Sequence, residues 1–516
     1  MDSLTPDLSS LVAYGGHPAV TVVLGLFLCY VLSAVLAWYR LRHIPGPFLA
    51  SFSYLWLYLT TKSGKMHLKL VEEHRKHGKI VRIGPNDLAI YDPSYLYQTN
   101  SVRSDYVRSP WYAGIKFDPY GDSVLSELDT ARHDKRKALV AGAYAGRGVV
   151  NLEQKVDSEL AILVDVLKRN YTKKGGLQIL DFSTISGYFQ ADIITLTGSG
   201  EALGDVATET DRLGFLSFAD SYVPFLHSVI MVPLLRNFFF SKFFLALAGP
   251  KPTHANSVGR FLGHIKNQVA KRFDDSPKGD FNDGAMLDEW VKNGMSRREC
   301  ELEFSIQMVA GIDTSTTALR AIMLYTLTTP NVYAKLRDEI TDGIREGRIS
   351  KPITNEEAKK LPYLQAVIHE GLRMVPPVIM GFPKRVPAGG DTIGGQFVPG
   401  GTDMYMDAWG VVRNKEIFGE DADLFRPERF LEGDETKRSK LVKSVDLIFG
   451  YGRWQCLGKN LAWMELNKIF VELFREFEFQ VVNPGSPWQF QGFITPFISN
   501  LLLQIRERPS ELSLSG

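Results

Sequence analysis

A single cysteine near the end of the chain lies in a glycine-rich stretch whose residue types suggest chemistry. Residues 449–458 read FGYGRWQCLG and contain Cys456 among three glycines. The other two cysteines, Cys29 and Cys300, are far away in sequence, so the cysteine count does not indicate a disulfide framework. Cys456 is therefore a candidate metal ligand, nucleophile or buried structural residue, and its neighbours must distinguish these uses.

The sequence gives different support to each of these roles of Cys456. A zinc site typically contains close cysteine or histidine pairs, and none lies around Cys456. A nucleophile needs a base nearby in space, which the sequence leaves open, although no protease signature surrounds this cysteine. The glycines do not follow the G-x-G-x-x-G spacing of dinucleotide sites. A buried structural cysteine also stays open as the simplest interpretation.

A haem-thiolate site fits the whole stretch. One thiolate suffices to hold haem iron, and Gly450, Gly452 and Gly458 would let the loop approach a flat macrocycle. A helix is predicted over residues 457–476, directly after the cysteine, and backbone N–H groups at its start would stabilise the thiolate charge. The sequence therefore indicates a haem ligand as a further use of Cys456.

The stretch FGYGRWQCLG resembles the haem-binding loop of the cytochrome P-450 monooxygenases. That loop has phenylalanine, two residues, glycine, three residues, cysteine, one residue and glycine, and Phe449, Gly452, Cys456 and Gly458 match it. The resemblance implies that Cys456 is the axial iron ligand of a haem b cofactor and that the other three residues shape its binding loop.

Cations bind the haem propionates in that family, and the sequence offers several candidates. Trp454 stands where the family's loop usually has a basic residue, while Arg453 lies one position earlier and is not assigned that role. The resemblance implies Arg385, on a predicted strand, as the first candidate. His133 and Lys137 are further candidates on the predicted basic helix RHDKRKAL, whose alternative interpretation is a solvated surface.

A second motif, AGIDTS over residues 310–315, resembles the oxygen-activation signature on the family's long central helix. The resemblance implies that Ala310 and Gly311 leave room for O2 and substrate, and that Asp313 and Thr314 organise water for proton delivery. The alternative is an ordinary buried helix whose hydroxyl groups bond the preceding turn.

Two short patterns complete the resemblance. EGLR places Glu370 and Arg373 three residues apart on a predicted helix, and PERF contains Arg429. Alone, the first pattern is typical of a weak surface pair. The resemblance implies that the three charges form a buried structural network, and buried charges persist only when they satisfy one another.

An uncharged segment near the N-terminus predicts a membrane anchor. Residues 19–39 read AVTVVLGLFLCYVLSAVLAWY, and about 20 apolar residues cross a bilayer as a helix. A cleaved signal peptide, the alternative, would have basic residues before a shorter apolar region, whereas Arg40 and Arg42 follow this segment. The resemblance to microsomal members places the anchor in the endoplasmic reticulum membrane. We expect a luminal segment over 1–18, a single-pass anchor over 19–39, a basic, proline-containing hinge over 40–47 and a cytosolic haem-thiolate catalytic domain over 48–516.

The rest of the chain predicts a mainly α fold with small β-sheets, an α+β class that agrees with the cytochrome P-450 fold. The formal net charge of +1 gives no broad reason to expect nucleic acid. Residues 249–284 are polar and contain glycine and proline, so we expect a surface loop around a short helix. Helices are predicted over 151–170, 296–329, 331–347, 355–374 and 457–476, a β-hairpin over 79–91 and a small sheet over 378–406.

The resemblance covers about residues 44–505 and implies a function. It implies a monooxygenase that inserts one oxygen atom from O2 into a lipophilic small molecule, as a tailoring step in fungal secondary metabolism. Electrons would come from NADPH-cytochrome P-450 reductase, with cytochrome b5 as a further donor, because the chain shows no flavin or nicotinamide domain. A peroxide-consuming haem-thiolate isomerase or dehydratase and a non-catalytic haem-binding protein are the alternatives. Apolar residues expected at the substrate pocket lie within 112–120, 215–240, 378–382 and 493–495 and include Met308 and Ile312, and residues 238–240 are a candidate membrane contact.

Overall fold

The structure is a computed structural model that describes residues 8–116, 118, 120–172, 178–274 and 284–508. Within these residues helices dominate, and the β-structure is confined to small sheets. The mainly helical α+β fold expected from the sequence is confirmed. The first seven residues of the expected luminal segment lie outside the described residues.

The N-terminal helix α1 (Leu8–Leu41) contains the predicted anchor. Its part from Val20 to Leu41 is long and apolar enough to cross a bilayer, and only 6% of its most apolar window is buried against the rest of the protein. A core helix of similar composition would be mostly buried. The helix is therefore a candidate membrane anchor.

The C-terminal end of α1 is fixed to the body of the protein. The buried Arg82 guanidinium donates to the carbonyl oxygens of Ala37 over 2.9 Å and of Trp38 over 3.4 Å. Arg40 donates to the side chain of Asn86 over 2.7 Å. The last four carbonyl groups of a helix have no partners within the helix, so Arg82 satisfies that of Trp38, shares that of Ala37, and ties the helix end to the body.

Most predicted helices are confirmed, namely those over 151–170, 296–329, 331–347 and 457–476. The helix predicted over 355–374 is divided in two, because Pro362 begins a new helix at a position where no backbone N–H donor is needed. The helices that follow α1 are α2 (Leu55–Lys62), α3 (Met66–His77), α4 (Pro93–Asn100), α5 (Thr130–Tyr144), α6 (Leu152–Leu167), α7 (Phe182–Ser199), α8 (Asp205–Thr208), α9 (Phe215–Ile230), α10 (Pro233–Phe239), α11 (Lys242–Ala248), α12 (Ser257–Phe273), α13 (Met286–Lys292), α14 (Arg297–Leu327), α15 (Pro330–Arg345), α16 (Asn355–Ala358), α17 (Pro362–Met374), α18 (Ala408–Val411), α19 (Lys415–Phe418), α20 (Glu435–Asp446) and α21 (Lys459–Glu476).

A loop around a short helix was expected over 249–284, and the expected length of that helix is wrong. Helix α12 has 17 residues and packs against α14. Phe261, Ile265 and Val269 recur at a spacing of four residues and are buried, so they form the apolar stripe that holds the helix on the core. Residues 275–283 of the predicted loop lie outside the described residues.

The largest sheet among the described residues has five strands in the order β1-β2-β8-β5-β3. The predicted hairpin over 79–91 is confirmed as β1 and β2. The segment 378–406 forms strands as predicted, but in two sheets, because β5 and β8 join the five-stranded sheet while, among the described residues, β6 pairs only with β7. Strand β5 pairs with β8 with a register shift between Gly381 and Lys384. The strands are β1 (Ile80–Gly84), β2 (Asp87–Ile90), β3 (Val107–Arg108), β4 (Ile179–Asp181), β5 (Met380–Arg385), β6 (Asp391–Ile393), β7 (Gln396–Val398), β8 (Asp403–Asp407), β9 (Phe477–Val481), β10 (Gln489–Gly492), β11 (Pro496–Ser499) and β12 (Leu502–Glu507).

The long helix α14 carries the second motif through the protein core. Ser296 and Glu299 form a capping box at its start, and the helix packs against α7, α12 and α17. The cysteine loop runs directly into α21, which packs against α6 and α15. The fold therefore holds both motifs on rigid, well-packed helices.

Candidate active site

The loop that carries Cys456 is closed on itself and faces the start of α21. The Cys456 N–H group donates to the Phe449 carbonyl oxygen over 2.7 Å. Burial raises the pKa of the Cys456 thiol, while hydrogen bonds from the N–H groups of Gly458 and Lys459 and the charge of Lys137 oppose this rise. A bound metal ion would complete the stabilisation of a thiolate at this position.

Two glycines of this loop are required by backbone geometry and space. Gly450 has φ +74° and Gly452 has φ +56°, and a Cβ atom on Gly452 would collide with the carbonyl oxygen of Asn100. Gly458 is different, because its φ of −77° suits any residue. A Cβ atom there would lie 3.9 Å from the Cys456 sulfur, so this glycine keeps the surface beside the sulfur clear.

The AGIDTS segment lies in the middle of α14. Ala310 is exposed although most neighbouring positions of the helix are buried. The Thr314 hydroxyl donates to the Ala310 carbonyl oxygen over 2.6 Å, which is the back-bond of the alternative interpretation. The hydroxyl oxygen still has lone pairs that can accept a hydrogen bond from water.

Gly311 was expected to leave room for O2 and substrate, but its Cα faces a neighbouring helix. A Cβ atom at this position would lie 2.6 Å from the Cδ1 atom of Ile194 on α7. The missing side chain therefore allows α14 and α7 to pack closely, and the expectation that Gly311 leaves room for O2 is corrected. Of this small pair, Ala310 is the residue with exposed surface.

A cavity of about 310 Å³ lies beside this segment. Its lining includes Ile312 and Asp313 of α14, Phe215 of α9 and Phe497 of β11. Met308, by contrast, is fully buried in the core. The lining is mixed, because polar and charged side chains such as Asp211 and Arg320 share it with these aromatic residues.

Trp454, the residue that departs from the family's pattern, is surrounded by basic side chains. The ammonium nitrogen of Lys384 lies 3.6 Å from the centroid of the Trp454 ring. The guanidinium carbon of Arg108 lies 4.5 Å from the same centroid. The His133 ring centroid is 4.4 Å away. Cations are attracted to the face of an indole ring, so Trp454 gathers positive charge that it does not carry itself.

Lys384 lacks a counter-charge within this cluster. Its side chain is 3% exposed, and its ammonium group has no hydrogen-bond partner among the described residues. Burial and the charges of Arg108, Arg453 and Lys137 lower the pKa of Lys384 well below its usual range. Because an unpaired buried cation is destabilising, the position suits an anionic group.

Arg385, the first candidate from the sequence, lies outside this cluster. Its guanidinium donates two hydrogen bonds to the Asp403 carboxylate, over 2.8 and 2.9 Å. Successive residues of a strand point to opposite faces, so β5 directs Lys384 toward Trp454 and Arg385 away from it. The structure therefore replaces Arg385 with Lys384 as the cation that this strand contributes.

His133 and Lys137 lie on α5 and belong to the cluster. His133 is buried, and burial lowers its pKa to about 4, so its imidazole is neutral at pH 7. The Lys137 ammonium group donates to the Arg453 carbonyl oxygen over 2.6 Å. The Arg453 side chain itself pairs with Asp134 at 3.1 Å, so it is engaged away from Trp454.

Glu370, Arg373 and Arg429 form one buried network. Arg373 donates two hydrogen bonds to Glu370, over 2.7 and 2.8 Å, and Arg429 donates a third over 3.0 Å. The three side chains are at most 2% exposed, which excludes a weak surface pair. Arg373 also donates to the carbonyl oxygens of Ala422 and Leu424, so it ties α17 to the segment before the cysteine loop.

This set of donors fits an iron porphyrin. Cys456 offers a sulfur ligand at a helix start, and Lys384, Arg108 and Lys137 offer positive charge for two propionates. The unpaired Lys384 ammonium is the sharpest observation, since a carboxylate would satisfy it. The chemistry of the residues therefore agrees with a haem-thiolate protein.

Comparison with known proteins leads to the same class. The family model described as Cytochrome P450 matches residues 44–502. Cytochrome P450 monooxygenase ABA1 of Pyricularia oryzae is 41% identical over 485 residues, which cover 92% of this chain and 94% of the relative. Cytochrome P450 monooxygenase aba1 of Botryotinia fuckeliana is 40% identical over 473 residues, covering 90% and 92%. Pisatin demethylase of Fusarium vanettenii is 30% identical over 473 residues, covering 91% and 89%.

The fold and the site thus define a haem-thiolate oxidoreductase. The chain belongs to the cytochrome P450 family, and it is a monooxygenase that works with a redox partner on a small-molecule substrate. The names of these relatives do not favour the peroxide-consuming or non-catalytic alternatives.

Sequence reasoning missed two cations of the cluster. The pair Lys384 and Arg385 was visible, and because only one of two adjacent strand residues can face inward, both deserved consideration. Arg108, on β3, has no local signal, since its contact with Trp454 joins distant parts of the chain.

Proposed function

We propose that this protein is a membrane-anchored monooxygenase in which Cys456 ligates haem b. The observation that carries the proposal is that Cys456, just before the start of α21, is close enough to Lys137 for their charges to interact, and Lys137 belongs to the cation cluster that contains the unpaired Lys384. When bound, the haem supplies the activation of O2 and the transfer of one oxygen atom. The protein's residues must hold it, orient the substrate and move protons.

The residues that would hold the haem divide into two groups. Cys456 would supply the thiolate ligand, and Phe449, Gly452 and Gly458 would shape the loop around it. The propionates would be neutralised by Lys384, Arg108 and Lys137, while the neutral His133 imidazole, which donates from Nδ1 to Asp134 over 2.9 Å, would support this site by packing against Trp454. Trp454 positions the cations through its ring, and Arg385 is left with a structural role at Asp403.

Proton delivery would depend on two adjacent residues of α14. Asp313 lines the cavity, and the Thr314 hydroxyl can hold a water molecule through its free lone pairs. Ala310, one turn earlier, offers an exposed small side chain that leaves space for this water and the substrate. Positioned proton transfer of this kind raises rates by about 10²–10⁴-fold.

The buried network would act on structure rather than chemistry. Glu370, Arg373 and Arg429 connect α17 to the segment that precedes the cysteine loop. Their proposed role is to hold the haem side of the core in place, so their loss would reduce haem incorporation.

Two apolar surfaces support attachment to a membrane. We propose that this is the endoplasmic reticulum membrane and that the catalytic domain lies in the cytosol. The first is the exposed part of α1, which we propose as a single-pass anchor over 19–39, with 1–18 in the lumen and 48–516 in the cytosol after the 40–47 hinge. The second lies on α10 and α11, where Leu234, Phe238 and Phe243 are 78%, 56% and 75% exposed. Such a patch suits a second contact with lipid.

The proposed electron donor is NADPH-cytochrome P-450 reductase, with cytochrome b5 as an additional donor. The proposed substrate is lipophilic. Phe215 and Phe497 support this as aromatic members of the cavity lining, which also contains the charged Asp211 and Arg320. The fungal sources of the relatives, one of which is named a demethylase of pisatin, support a tailoring step in fungal secondary metabolism.

The test begins with a deletion strain. A compound that accumulates in that strain is incubated with the purified protein, reductase, NADPH and isotope-labelled O2. We expect NADPH-dependent conversion, with one labelled oxygen atom per turnover in the product or in the group it releases. Conversion with peroxide and no requirement for NADPH or O2 would contradict the proposal, as would a purified protein without haem.

A further inference from the structure

Two polar side chains border an aromatic region that the proposed chemistry does not use. His227 lies on α9, and its ring centroid is 6.3 Å from that of Phe493 and 6.4 Å from that of Phe497. Thr495 lies between these two phenylalanines along the chain, at the tip of the hairpin formed by β10 and β11. The two phenylalanine rings are 5.8 Å apart, so they form a continuous wall.

Both polar side chains have a buried atom without a partner. Neither Nδ1 of His227 nor Oγ1 of Thr495 has a hydrogen bond within the part of the chain that the structure describes. The next residue on α9 behaves differently, because the Ser228 hydroxyl donates to the Pro224 carbonyl oxygen over 3.0 Å. Buried polar atoms are usually paired in native structures, and these two unpaired atoms border the same aromatic wall, so an external group that reaches this wall would satisfy both.

The wall continues toward the motif on α14. The Thr317 hydroxyl, one turn after Thr314, donates to the Pro496 carbonyl oxygen over 3.4 Å. Phe497 also lines the cavity that contains Asp313. The hairpin tip is therefore seated against the same stretch of α14 that is proposed to deliver protons, which places the two polar residues beside the space for a substrate.

We propose that His227 and Thr495 together bind one uncharged oxygen group, a hydroxyl or a carbonyl, of an otherwise apolar substrate, and so determine which carbon is presented for oxidation. This inference rests on the proposed monooxygenase function. A neutral imidazole has one donor and one acceptor nitrogen, and a hydroxyl can act as either, so the pair can bind both kinds of group.

The surroundings favour an uncharged group over a carboxylate. Burial is the cause that lowers the pKa of His227, to about 3, so the imidazole is neutral at pH 7. The neighbouring rings of Phe493 and Phe497 provide no positive charge, and Arg320, which lines the cavity beyond Phe497, is engaged with the carbonyl oxygens of Ser183 and Ile498. A buried carboxylate without a cation is strongly destabilising, whereas a hydroxyl or carbonyl needs only a hydrogen bond.

The test uses the purified holoenzyme and probes that differ by one oxygen group. The pairs are cyclododecanol with cyclododecane and 5α-androstan-3β-ol with 5α-androstane, and the carboxylate probe is cyclododecanecarboxylate. Affinity is measured from the shift of the main haem absorption band and, independently, by equilibrium dialysis. In at least one pair we expect the alcohol to bind about 3- to 10-fold more tightly than the hydrocarbon, and the carboxylate to bind more weakly than cyclododecanol.

Variants separate recognition from packing. His227→Phe and Thr495→Val should bring the alcohol's affinity to within about twofold of the hydrocarbon's, while the hydrocarbon's own affinity stays unchanged. His227→Gln, which keeps a donor and an acceptor, should retain part of the preference. Ser228→Ala is the matched control, because that hydroxyl is already bonded within α9, and it should preserve the full preference.

The outcomes distinguish this inference from the function on which it rests. If the wild-type protein has its full haem content but binds alcohol and hydrocarbon equally, or binds neither, the inference is overturned and the proposed function is not. A preference that survives in both His227→Phe and Thr495→Val also overturns it. A protein without haem or NADPH-dependent turnover overturns the proposed function instead.

Discussion

The ammonium nitrogen of Lys384 lies 3.6 Å from the ring centroid of Trp454, while the neighbouring Arg385 is bonded to Asp403. Two adjacent basic residues of β5 thus have opposite surroundings, one unpaired and one satisfied. Trp454 occupies the loop position at which a basic residue is usual, and Lys384 reaches the same place from the sheet. The positive charge beside Trp454 therefore comes from β5 rather than from the cysteine loop itself.

Replacement of Lys384 by methionine should weaken haem binding. The change removes one charge-assisted hydrogen bond, worth about 1.5–3 kcal/mol, which corresponds to about a 10- to 100-fold loss of haem affinity. We therefore expect haem to transfer faster or more completely to an excess of an acceptor protein. The haem-free variant should also be more stable to urea than the haem-free wild type, because a buried unpaired ammonium is removed.

Arg385→Met is the matched control for this change. It removes the neighbouring cation but leaves the Trp454 cluster intact, so the rate of haem transfer should stay within about twofold of wild type, although the unpaired Asp403 lowers overall stability. Equal haem transfer from Lys384→Met and wild type would show that Lys384 does not hold a propionate.

A basic residue at position 454 should not improve the site. Trp454→Arg would place a third cation next to Lys384 and Arg108 and remove their attraction to the indole ring, worth about 0.5–2 kcal/mol. We expect a lower melting temperature and less haem per protein. The double variant Trp454→Arg with Lys384→Leu removes the repulsion and should recover much of both values, and a double variant worse than either single one would refute this account of the cluster.

Glu370→Gln should strongly destabilise the protein. The substitution leaves Arg373 buried without a negative partner, while Arg429 keeps Asp421 at 3.0 Å, and breaking such a buried pair typically lowers the free energy of unfolding by about 3–5 kcal/mol. Glu432→Gln is the control, because Glu432 pairs with Arg426 on the surface, and it should change the free energy by about 1 kcal/mol or less. Denaturant unfolding and haem content measure both variants, and similar values for the two would mean that the network is dispensable.

Thr314→Ala should separate proton delivery from haem binding. The change barely affects helix α14, since alanine is the better helix former, so haem content should remain normal. Product formation should fall by about 10²-fold or more while NADPH use continues and hydrogen peroxide accumulates. Ser305→Ala, which removes a similar back-bond to Glu301 elsewhere on α14, should keep the wild-type ratio of product to NADPH. An unchanged ratio in Thr314→Ala would assign the residue to packing alone.

Local patterns predicted the parts of the site that depend on neighbours in sequence. Gly452 was predicted from its motif position, as a glycine that lets the loop approach a macrocycle, and the structure gives it φ +56° and a close approach to the Asn100 carbonyl oxygen. Glu370 and Arg373 lie one turn apart on a helix, so their contact follows from spacing.

The other parts depend on contacts that no local pattern contains. A register shift in β5 between Gly381 and Lys384 changes which residues face inward, so simple alternation could not choose between Lys384 and Arg385. Arg108 reaches Trp454 only through the fold, and Gly311 is explained by Ile194 on another helix. Tertiary packing, rather than composition, decided these positions.

The most direct test of the central claim is the absorption spectrum of the reduced protein with carbon monoxide. Wild type should show the long-wavelength band of a thiolate-ligated haem, and Cys456→Ser should lose it. Cys300→Ala, which changes the buried cysteine of α14, should keep it. Ligation by Cys456 predicts this pattern, and a long-wavelength band that persists in Cys456→Ser would contradict it.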